Sequence, residues 1–362
     1  MIVKLQENNI NMLRFSHLYF DIDADEFLKV FEYGDAVDIS VNGDTTMEVP
    51  VCGSYEDLLP GECAIIASAN EDKISLVRNF AKIGVEKGIL EVAPSGSETS
   101  YILNKTIRLP VVAEITIKEK GKYLEKTLLS KLQYSRERQD YDDRLTDAQF
   151  ANFRCIRTTG MGNDILYRSS SPIDPKTSRN IIVDRLAKEA GIRSIINLAD
   201  SEEKAMAYPG YENTYCAGCN IAFVSMTVDY KSEKFRNTLA ETLRFIINND
   251  GPYLFHCYIG KDRTGFLAAI LELLVGADID EIQEDFLRTY ENLYGGRTDI
   301  PQKIDDAKKK LIRETIVSIL TYVFGTDEDT LRKSPQTVEK YLISVGLDED
   351  EIRKLKEKLI NQ

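Results

Sequence analysis

The first third of the chain has the hydrophobic pattern of β-strands. Apolar and polar residues alternate through AVDISVNGDTTMEV around Asn42-Gly43, which is typical of a tight hairpin turn. The segments ECAIIASA (62–69) and KTIRLPVVAEITIKE (105–119) are rich in Val, Ile and Thr, which favour strands. Residues 31–118 are therefore predicted to be mostly β.

Two other segments of this region predict helical structure. ISLVRNFAKIGVEKG, residues 74–88, is amphipathic and predicts a short helix that ends at Gly88. Residues 120–145 are highly charged and compatible with helix, so they are interpreted as a connector. Thr146-Asp147-Ala148-Gln149 has the spacing of a capping box and predicts the start of a short helix.

From about residue 150 the pattern alternates between strands and helices. RSIINLAD, IAFVSMTV and PYLFHC are short apolar strands, whereas IIVDRLAKEAGI and SEKFRNTLAETLRFIINNDG are amphipathic helices. GFLAAILELLVGAD is apolar on all sides, which indicates a central helix. This alternation predicts an α/β domain with a mainly parallel central sheet flanked by helices. The predicted organisation is a small mostly-β domain at 1–122, a charged helical connector at 123–149, and an α/β domain with a helical C-terminal extension at 150–362.

Charge and composition narrow the possible functions. The 362 residues include 59 acidic and 46 basic side chains, giving a net charge of −13. A general nucleic-acid binder is not expected, because such proteins gain affinity from cationic contacts to phosphates. No segment approaches the ~18 consecutive apolar residues of a membrane span, and the N-terminus does not resemble a signal peptide. We therefore expect a cytoplasmic protein with no integral membrane segment.

The stretch FHCYIGKDRTG, residues 255–265, carries the candidate chemistry. It joins a predicted strand to a predicted helix, and loops at helix N-termini bind anions through free N–H groups and the helix dipole. Gly260 allows the loop to curl. Those amides and Arg263 are expected to stabilise a thiolate at Cys257, which would be a good nucleophile. Arg263 can also hold two oxygens of a phosphoryl group, and the Thr264 hydroxyl can donate a hydrogen bond to the Cys257 sulfur.

This stretch resembles the signature of cysteine-dependent phosphatases. HCYIGKDRTG is similar to the loop of a bacterial branch that includes tyrosine and phosphoinositide phosphatases. ILYRSSSPID (165–174), SIINLADSEE (194–203) and two C-terminal helical segments also resemble that branch, so the likeness covers roughly residues 150–362. The resemblance implies that Cys257 and Arg263 are catalytic, and that the substrate contacts His256, Tyr258, Ile259, Gly260, Lys261 and Thr264.

Three aspartates are candidates for the general acid. Asp262 lies inside the loop, and the resemblance implies an acid role for it. Asp229 follows a strand and begins a loop of the kind that carries a movable acid in related phosphatases, while Asp200 ends the preceding strand. The chain has no Trp, so the Trp-Pro-Asp loop of other phosphatases is absent, and Asn197-Leu198-Ala199 replaces the usual Asp-Leu-Arg. Asp262 is the favoured candidate, Asp229 is second and Asp200 is third.

The N-terminal region has a separate resemblance. Gly34-Asp35, Tyr55, Gly61-Glu62 and Asn79-Phe80-Ala81 are similar to features of the small C-terminal β-domain of S-adenosylmethionine hydroxide adenosyltransferases. The larger domain that completes the site of those enzymes has no counterpart here, so adenosyl chemistry is not expected.

The sequence thus predicts phosphomonoester hydrolysis through a cysteinyl-phosphate, with phosphotyrosine proteins or phosphoinositides as partners. Lys261 adds a cation that suits substrates with several phosphates. No cofactor and no metal are expected, and the two histidines argue against a histidine-rich metal site. Two alternatives remain: a phosphate-binding pseudophosphatase without turnover, and a phytase-like inositol-phosphate phosphatase.

Overall fold

The computed structural model describes residues 1–7, 9, 16–68, 72–93, 101–333 and 336–360. The chain divides into two compact units, Met1–Leu132 and Gln133–Gln362. Within the described ranges, no helix combines the length and the apolar character that crossing a bilayer requires.

Unit 1 is built on an antiparallel-rich sheet of seven of the described strands. Their order is β1-β9-β3-β4-β5-β6-β2, and β4 and β5 form the parallel pair. Strands β7 and β8 form a separate ribbon. The elements are β1 (Ile2–Leu5), β2 (Leu18–Asp23), α1 (Ala24–Phe27), β3 (Ala36–Val41), β4 (Met47–Cys52), β5 (Cys63–Ile66), β6 (Lys73–Arg78), α2 (Ile83–Glu86), β7 (Leu90–Val92), β8 (Tyr101–Leu103) and β9 (Val111–Glu119).

The mostly-β prediction for this region agrees with these strands, with one difference. The predicted helix at 74–88 is wrong in its first part, because Ile74–Val77 are all buried within β6 and only α2 is helical. Gly88 does follow α2 with a φ of 68°. Strands β3 and β4 form the predicted hairpin. The tight turn at Asn42-Gly43 is confirmed, because these residues have φ values of 50° and 72° and the Asp44 N–H donates to the Val41 carbonyl oxygen over 3.0 Å. Ala69, the last residue of the predicted strand at 62–69, lies outside the described residues.

The charged segment predicted as a helical connector contains little helix. Two 3₁₀ segments, Leu124–Leu128 and Arg138–Asp140, precede the four-residue helix α3 (Asp147–Phe150). The boundary between the units falls after Leu132, inside this segment. The capping box is confirmed, since the Thr146 hydroxyl accepts from the Gln149 N–H and the Gln149 side chain accepts from the Thr146 N–H.

Unit 2 contains a mixed sheet of five of the described strands in the order β10-β11-β14-β12-β13. The pairs β11–β14, β14–β12 and β12–β13 are parallel, whereas β10 is antiparallel to β11 at the edge. The elements are β10 (Arg154–Cys155), β11 (Leu166–Ser169), α4 (Asn180–Glu189), β12 (Ser194–Asn197), α5 (Glu202–Met206), β13 (Asn220–Phe223), α6 (Glu233–Asn248), β14 (Tyr253–His256), α7 (Asp262–Val275), α8 (Ile279–Tyr294), α9 (Asp306–Phe324), α10 (Glu328–Lys333), α11 (Gln336–Val345) and α12 (Glu349–Ile360).

The central strand of the unit 2 sheet and the helix that follows it are almost entirely buried. All four residues of β14 are buried, and α7 is buried from Thr264 to Leu274. This explains why α7 has apolar residues on all sides, unlike the amphipathic α6, whose N-terminus is capped by the Ser232 hydroxyl. Loops that follow parallel strands meet at the carboxyl edge of the sheet, where α/β proteins place their binding sites.

Candidate active site

The loop that joins β14 to α7 holds Cys257 at the carboxyl edge of the sheet. Cys257 follows the last residue of the central strand and is 4% exposed. Gly260 has a φ of 73°, and a Cβ there would lie 2.4 Å from the Ser169 carbonyl oxygen, so the loop requires glycine at this position. The loop ends at the N-terminus of the 14-residue helix α7, whose free N–H groups and dipole favour an anion.

Arg263 lies over the ends of two neighbouring strands. Its Nη1 donates to the carbonyl oxygens of Leu198, 3.0 Å away, and Met226, 3.3 Å away. These residues follow β12 and β13, so the half-buried guanidinium is directed across the sheet edge. Thr264, the next residue, is fully buried, and its hydroxyl has no hydrogen-bond partner within the described residues.

His256 shapes the loop as a neutral group. Burial lowers the pKa of His256 to about 4, so its imidazole is uncharged at neutral pH. Its Nδ1 donates to the Cys257 carbonyl oxygen over 3.1 Å. The ring therefore constrains the backbone at Cys257 and does not provide a positive charge to the thiol.

A buried polar network holds the loop from the side of β11. Arg168 Nη2 and Asn152 Nδ2 each donate to the Gly260 carbonyl oxygen over 3.0 Å. Arg168 also pairs with Asp285, which Arg154 contacts at 2.7 Å. Although burial opposes ionisation, the two guanidinium groups hold the pKa of Asp285 below its usual range. The Arg168 side chain thus anchors the loop from within the core.

The segment after β11 supports the first half of the loop. The Ser171 N–H donates to the Tyr258 carbonyl oxygen over 3.0 Å, and the Ser170 hydroxyl donates to the Ile259 carbonyl oxygen over 3.1 Å. The Tyr258 hydroxyl donates to the Lys176 carbonyl oxygen, also over 3.1 Å. Tyr258 and Ile259 are both half-buried, so part of each side chain is accessible beside Cys257.

The structure places Lys261 away from the position expected of a substrate-binding cation. It is 2% exposed, and its Nζ lies 5.3 and 5.7 Å from the ring centroids of Tyr290 and Tyr294 on α8. Such cation–π contacts compensate for part of the lost hydration of the ammonium group. Lys261 therefore packs behind the loop, and its predicted contact with a second phosphate is not supported by this conformation.

The three candidate acids have different surroundings. Asp262 is the first residue of α7, and its side chain is 60% exposed. Asp229 is half-buried in the loop after β13, where its carbonyl oxygen accepts from the N–H and hydroxyl of Ser232. Asp200 is 2% exposed and already accepts from Lys204 at 2.5 Å. A carboxylate with this partner is poorly placed to give a proton to substrate.

A bridge between two buried aspartates was not predicted. The Tyr208 hydroxyl lies 3.0 Å from Asp174 Oδ2 and 3.2 Å from Asp200 Oδ1. Asp174 and Asp200 follow β11 and β12, the two neighbours of β14, so Tyr208 joins the segments on both sides of the loop. Asp174 lies within the quoted motif ILYRSSSPID, whereas nothing in the sequence indicates this position for Tyr208.

Fold and loop together define a class of α/β protein that holds a buried cysteine in a curled loop at the N-terminus of a helix. The chain belongs to the tyrosine phosphatase family, whose profile matches residues 154–361. This match lies entirely within unit 2.

Two curated proteins show a related sequence. The chain is 29% identical over 129 residues to the triple specificity protein phosphatase PtpB of Mycobacterium tuberculosis, covering 33% of this chain and 47% of that protein. It is 31% identical over 122 residues to a tyrosine-protein phosphatase of Nostoc commune, covering 32% and 42%. The chain thus spans somewhat less than half the length of these relatives.

Two solved structures are also similar to part of the chain. The catalytic core of the PP-IP phosphatase Siw14 from S. cerevisiae is 19% identical with a TM-score of 0.28, covering 53% of this chain and 94% of that chain. TpbA of P. aeruginosa is 18% identical with a TM-score of 0.30, covering 55% and 98%.

Proposed function

We propose that this protein hydrolyses phosphomonoesters through a cysteinyl-phosphate intermediate formed on Cys257. The observation that carries the proposal is the position of Cys257 in a glycine-dependent curl between the central strand and the N-terminus of α7. Membership of the tyrosine phosphatase family supports the same chemistry. We also propose that the two units are separate domains and that unit 2 carries the activity.

In the first step the Cys257 thiolate attacks phosphorus and the bond to the leaving oxygen breaks. Loop amides and Arg263 hold the phosphoryl oxygens, and an aspartic acid gives its proton to the leaving oxygen. In the second step the aspartate takes a proton from water, the water oxygen bonds to phosphorus and the S–P bond breaks. The products are inorganic phosphate and the restored thiolate, which the unpartnered Thr264 hydroxyl can stabilise.

We favour Asp262 as the acid because it is exposed and directly precedes Arg263. Asp229 is the alternative, since its loop also carries the Met226 carbonyl that Arg263 contacts. We propose phosphotyrosine proteins or phosphoinositides as substrates. The names of the curated relatives support phosphotyrosine among these, and the partial exposure of Tyr258 and Ile259 offers a surface for an aromatic or inositol ring.

Replacing the nucleophile tests this function. Hydrolysis of p-nitrophenyl phosphate by the Cys257→Ser variant should fall by at least about 1,000-fold, because the hydroxyl is a far weaker nucleophile. Circular dichroism should show an unchanged fold. If the wild-type protein binds phosphate but does not turn over any phosphomonoester, the pseudophosphatase alternative is correct instead.

A further inference from the structure

A second cleft of unit 2 has the composition of an anion-binding site. It has a volume of about 640 Å³ and lies between the segment that begins at Tyr230 and helices α9, α10 and α11. Its lining contains three cations, Lys231, Arg236 and Lys340, and no carboxylate. The charge of the lining is therefore positive, although the net charge of the chain is −13.

The three cations have no acidic partner within the described residues. Lys231 Nζ lies 3.7 Å from the centroid of the Tyr322 ring, and Arg236 Nη2 donates to the Ser344 carbonyl oxygen over 3.3 Å. These contacts orient the side chains without neutralising their charge. The positive charge of the cleft is therefore available to a ligand.

Hydroxyl groups add hydrogen-bond donors to the same cleft. Tyr341 is 9% exposed and lines it, and the Tyr341 hydroxyl has no hydrogen-bond partner in the part of the chain that the structure describes. A buried hydroxyl without a partner is costly, which points to a ligand or water that satisfies it. Burial raises the pKa of Tyr341, so this group stays a donor at neutral pH. Thr326, Thr330 and Thr337 also present hydroxyls in the lining, whereas the Ser344 hydroxyl already donates to the Tyr341 carbonyl oxygen over 2.7 Å.

Tyr230 links the cleft to the candidate active site. Tyr230 lines the cleft, and its ring packs 4.6 Å from that of Phe266 on α7. Burial, with smaller contributions from the charges of Asp262 and Cys257, raises the pKa of Tyr230, so Tyr230 lies within electrostatic range of the loop. The cleft thus shares a wall with the Asp229 segment.

We propose that this cleft binds a phosphate group. Tetrahedral oxyanions accept several charge-assisted hydrogen bonds, and three cations surrounded by hydroxyls supply them. The phosphate belongs either to a second position of a multiply phosphorylated substrate or to a separate anion. Only the first of these two sources rests on the proposed function.

Ligand binding is measured on full-length protein that lacks Arg263. The result then tests the cleft without depending on catalysis. Arg263→Ala protein, titrated with inositol 1,4,5-trisphosphate in a calorimeter, should bind one equivalent. Adding Lys231→Ala and Lys340→Ala should weaken this binding by about 10-fold or more. Adding Lys310→Ala, an exposed lysine of α9 outside the lining, should change it less than about twofold.

Two results would contradict phosphate binding in the cleft while leaving the proposed hydrolysis intact. One is the absence of saturable binding to the Arg263→Ala protein, and the other is an equal loss of affinity in the cleft variants and the Lys310 variant. Tyr341→Phe provides a second check, because it should weaken binding without lowering the melting temperature. To identify the source of the phosphate, the kinetics of the Lys231→Ala/Lys340→Ala variant are measured in protein that retains Arg263. A raised KM for a bisphosphate substrate with unchanged p-nitrophenyl phosphate hydrolysis indicates a second substrate phosphate, whereas saturable binding of inorganic phosphate to the Arg263→Ala protein indicates a separate anion.

Discussion

At the scale of single residues, burial decides which groups near Cys257 carry charge. His256 is neutral because it is buried, and Asp200 is engaged by Lys204, so neither is free to act as the acid. Asp262 is 60% exposed, and its contact with Lys261 Nζ is longer, at 3.7 Å. This distinction could not be made from the sequence, because burial of a loop residue depends on the elements that pack around it.

The buried His256 predicts a loss of stability in acid. Its pKa is about 4 in the folded protein and 6.5 when exposed, so the unfolded chain binds the proton more tightly between these values. The contribution of the neutral ring is complete above pH 6.5 and is lost as the pH falls towards 4. Between pH 7 and pH 5 it should decrease by about 2 kcal/mol. Urea unfolding followed by circular dichroism should show a pH dependence that is smaller by this amount in His256→Asn, and an equal dependence would contradict the assignment.

The choice of acid predicts a dependence on the leaving group. Asp262→Asn should lower kcat for phenyl phosphate by about 100-fold or more, because its leaving oxygen needs a proton. The loss should be much smaller for p-nitrophenyl phosphate, whose leaving group departs as an anion. Asp229→Asn is the matched control and should not show this selectivity. The reverse pattern would assign the acid to Asp229.

At the scale of elements, the strand–loop–helix unit around Cys257 was predictable because all its signals are local. An apolar strand, a glycine-containing loop and an apolar helix follow one another directly in the chain. The Asp174–Tyr208–Asp200 bridge was not predictable, since it depends on β11 and β12 becoming the neighbours of β14. Likewise, the segment at 74–78 was misassigned because a short apolar run fits a strand or a helix equally well.

Because Arg168 on β11 anchors the loop, replacing it is expected to lower the stability of the protein strongly. Arg168→Met leaves Asp285 with one fewer partner in the core and removes one of the two side-chain donors to the Gly260 carbonyl oxygen. The free energy of unfolding should fall by about 3–5 kcal/mol. Arg185→Met on α4, where the arginine side chain is 49% exposed, is the control and should cost no more than about 1 kcal/mol. Similar losses in both variants, measured by urea denaturation, would show that Arg168 is not the anchor.

At the scale of the whole molecule, each of the two units contains a hydrophobic cluster of its own. Val37, Ile39 and Ile115 belong to a buried cluster of unit 1, whereas Val183, Ile195 and Leu254 belong to one of unit 2. The sequence indicated a change of structural class along the chain because periodicity changes from strands to alternating strands and helices. It placed the boundary only within the connector 123–149, which contains Leu132, since that charged segment has a composition compatible with helix throughout.

Separate cores predict that unit 2 works alone. A fragment of residues 133–362 should fold and should hydrolyse p-nitrophenyl phosphate with a kcat/KM within about threefold of the full chain, as expected for an autonomous domain. The fragment 1–132 should have no such activity. A fragment 133–362 that is folded by circular dichroism but inactive would show that unit 1 contributes to catalysis.

The most direct measurement of the central claim is the detection of phosphate bound covalently to Cys257. Wild-type protein and the Asp262→Asn variant, mixed with p-nitrophenyl phosphate and quenched in acid, should yield a peptide phosphorylated on Cys257 by mass spectrometry. The intermediate should be absent from Cys257→Ser protein. Sustained turnover by wild-type protein without any phosphorylated cysteine, or with the phosphate on another residue, would contradict the account.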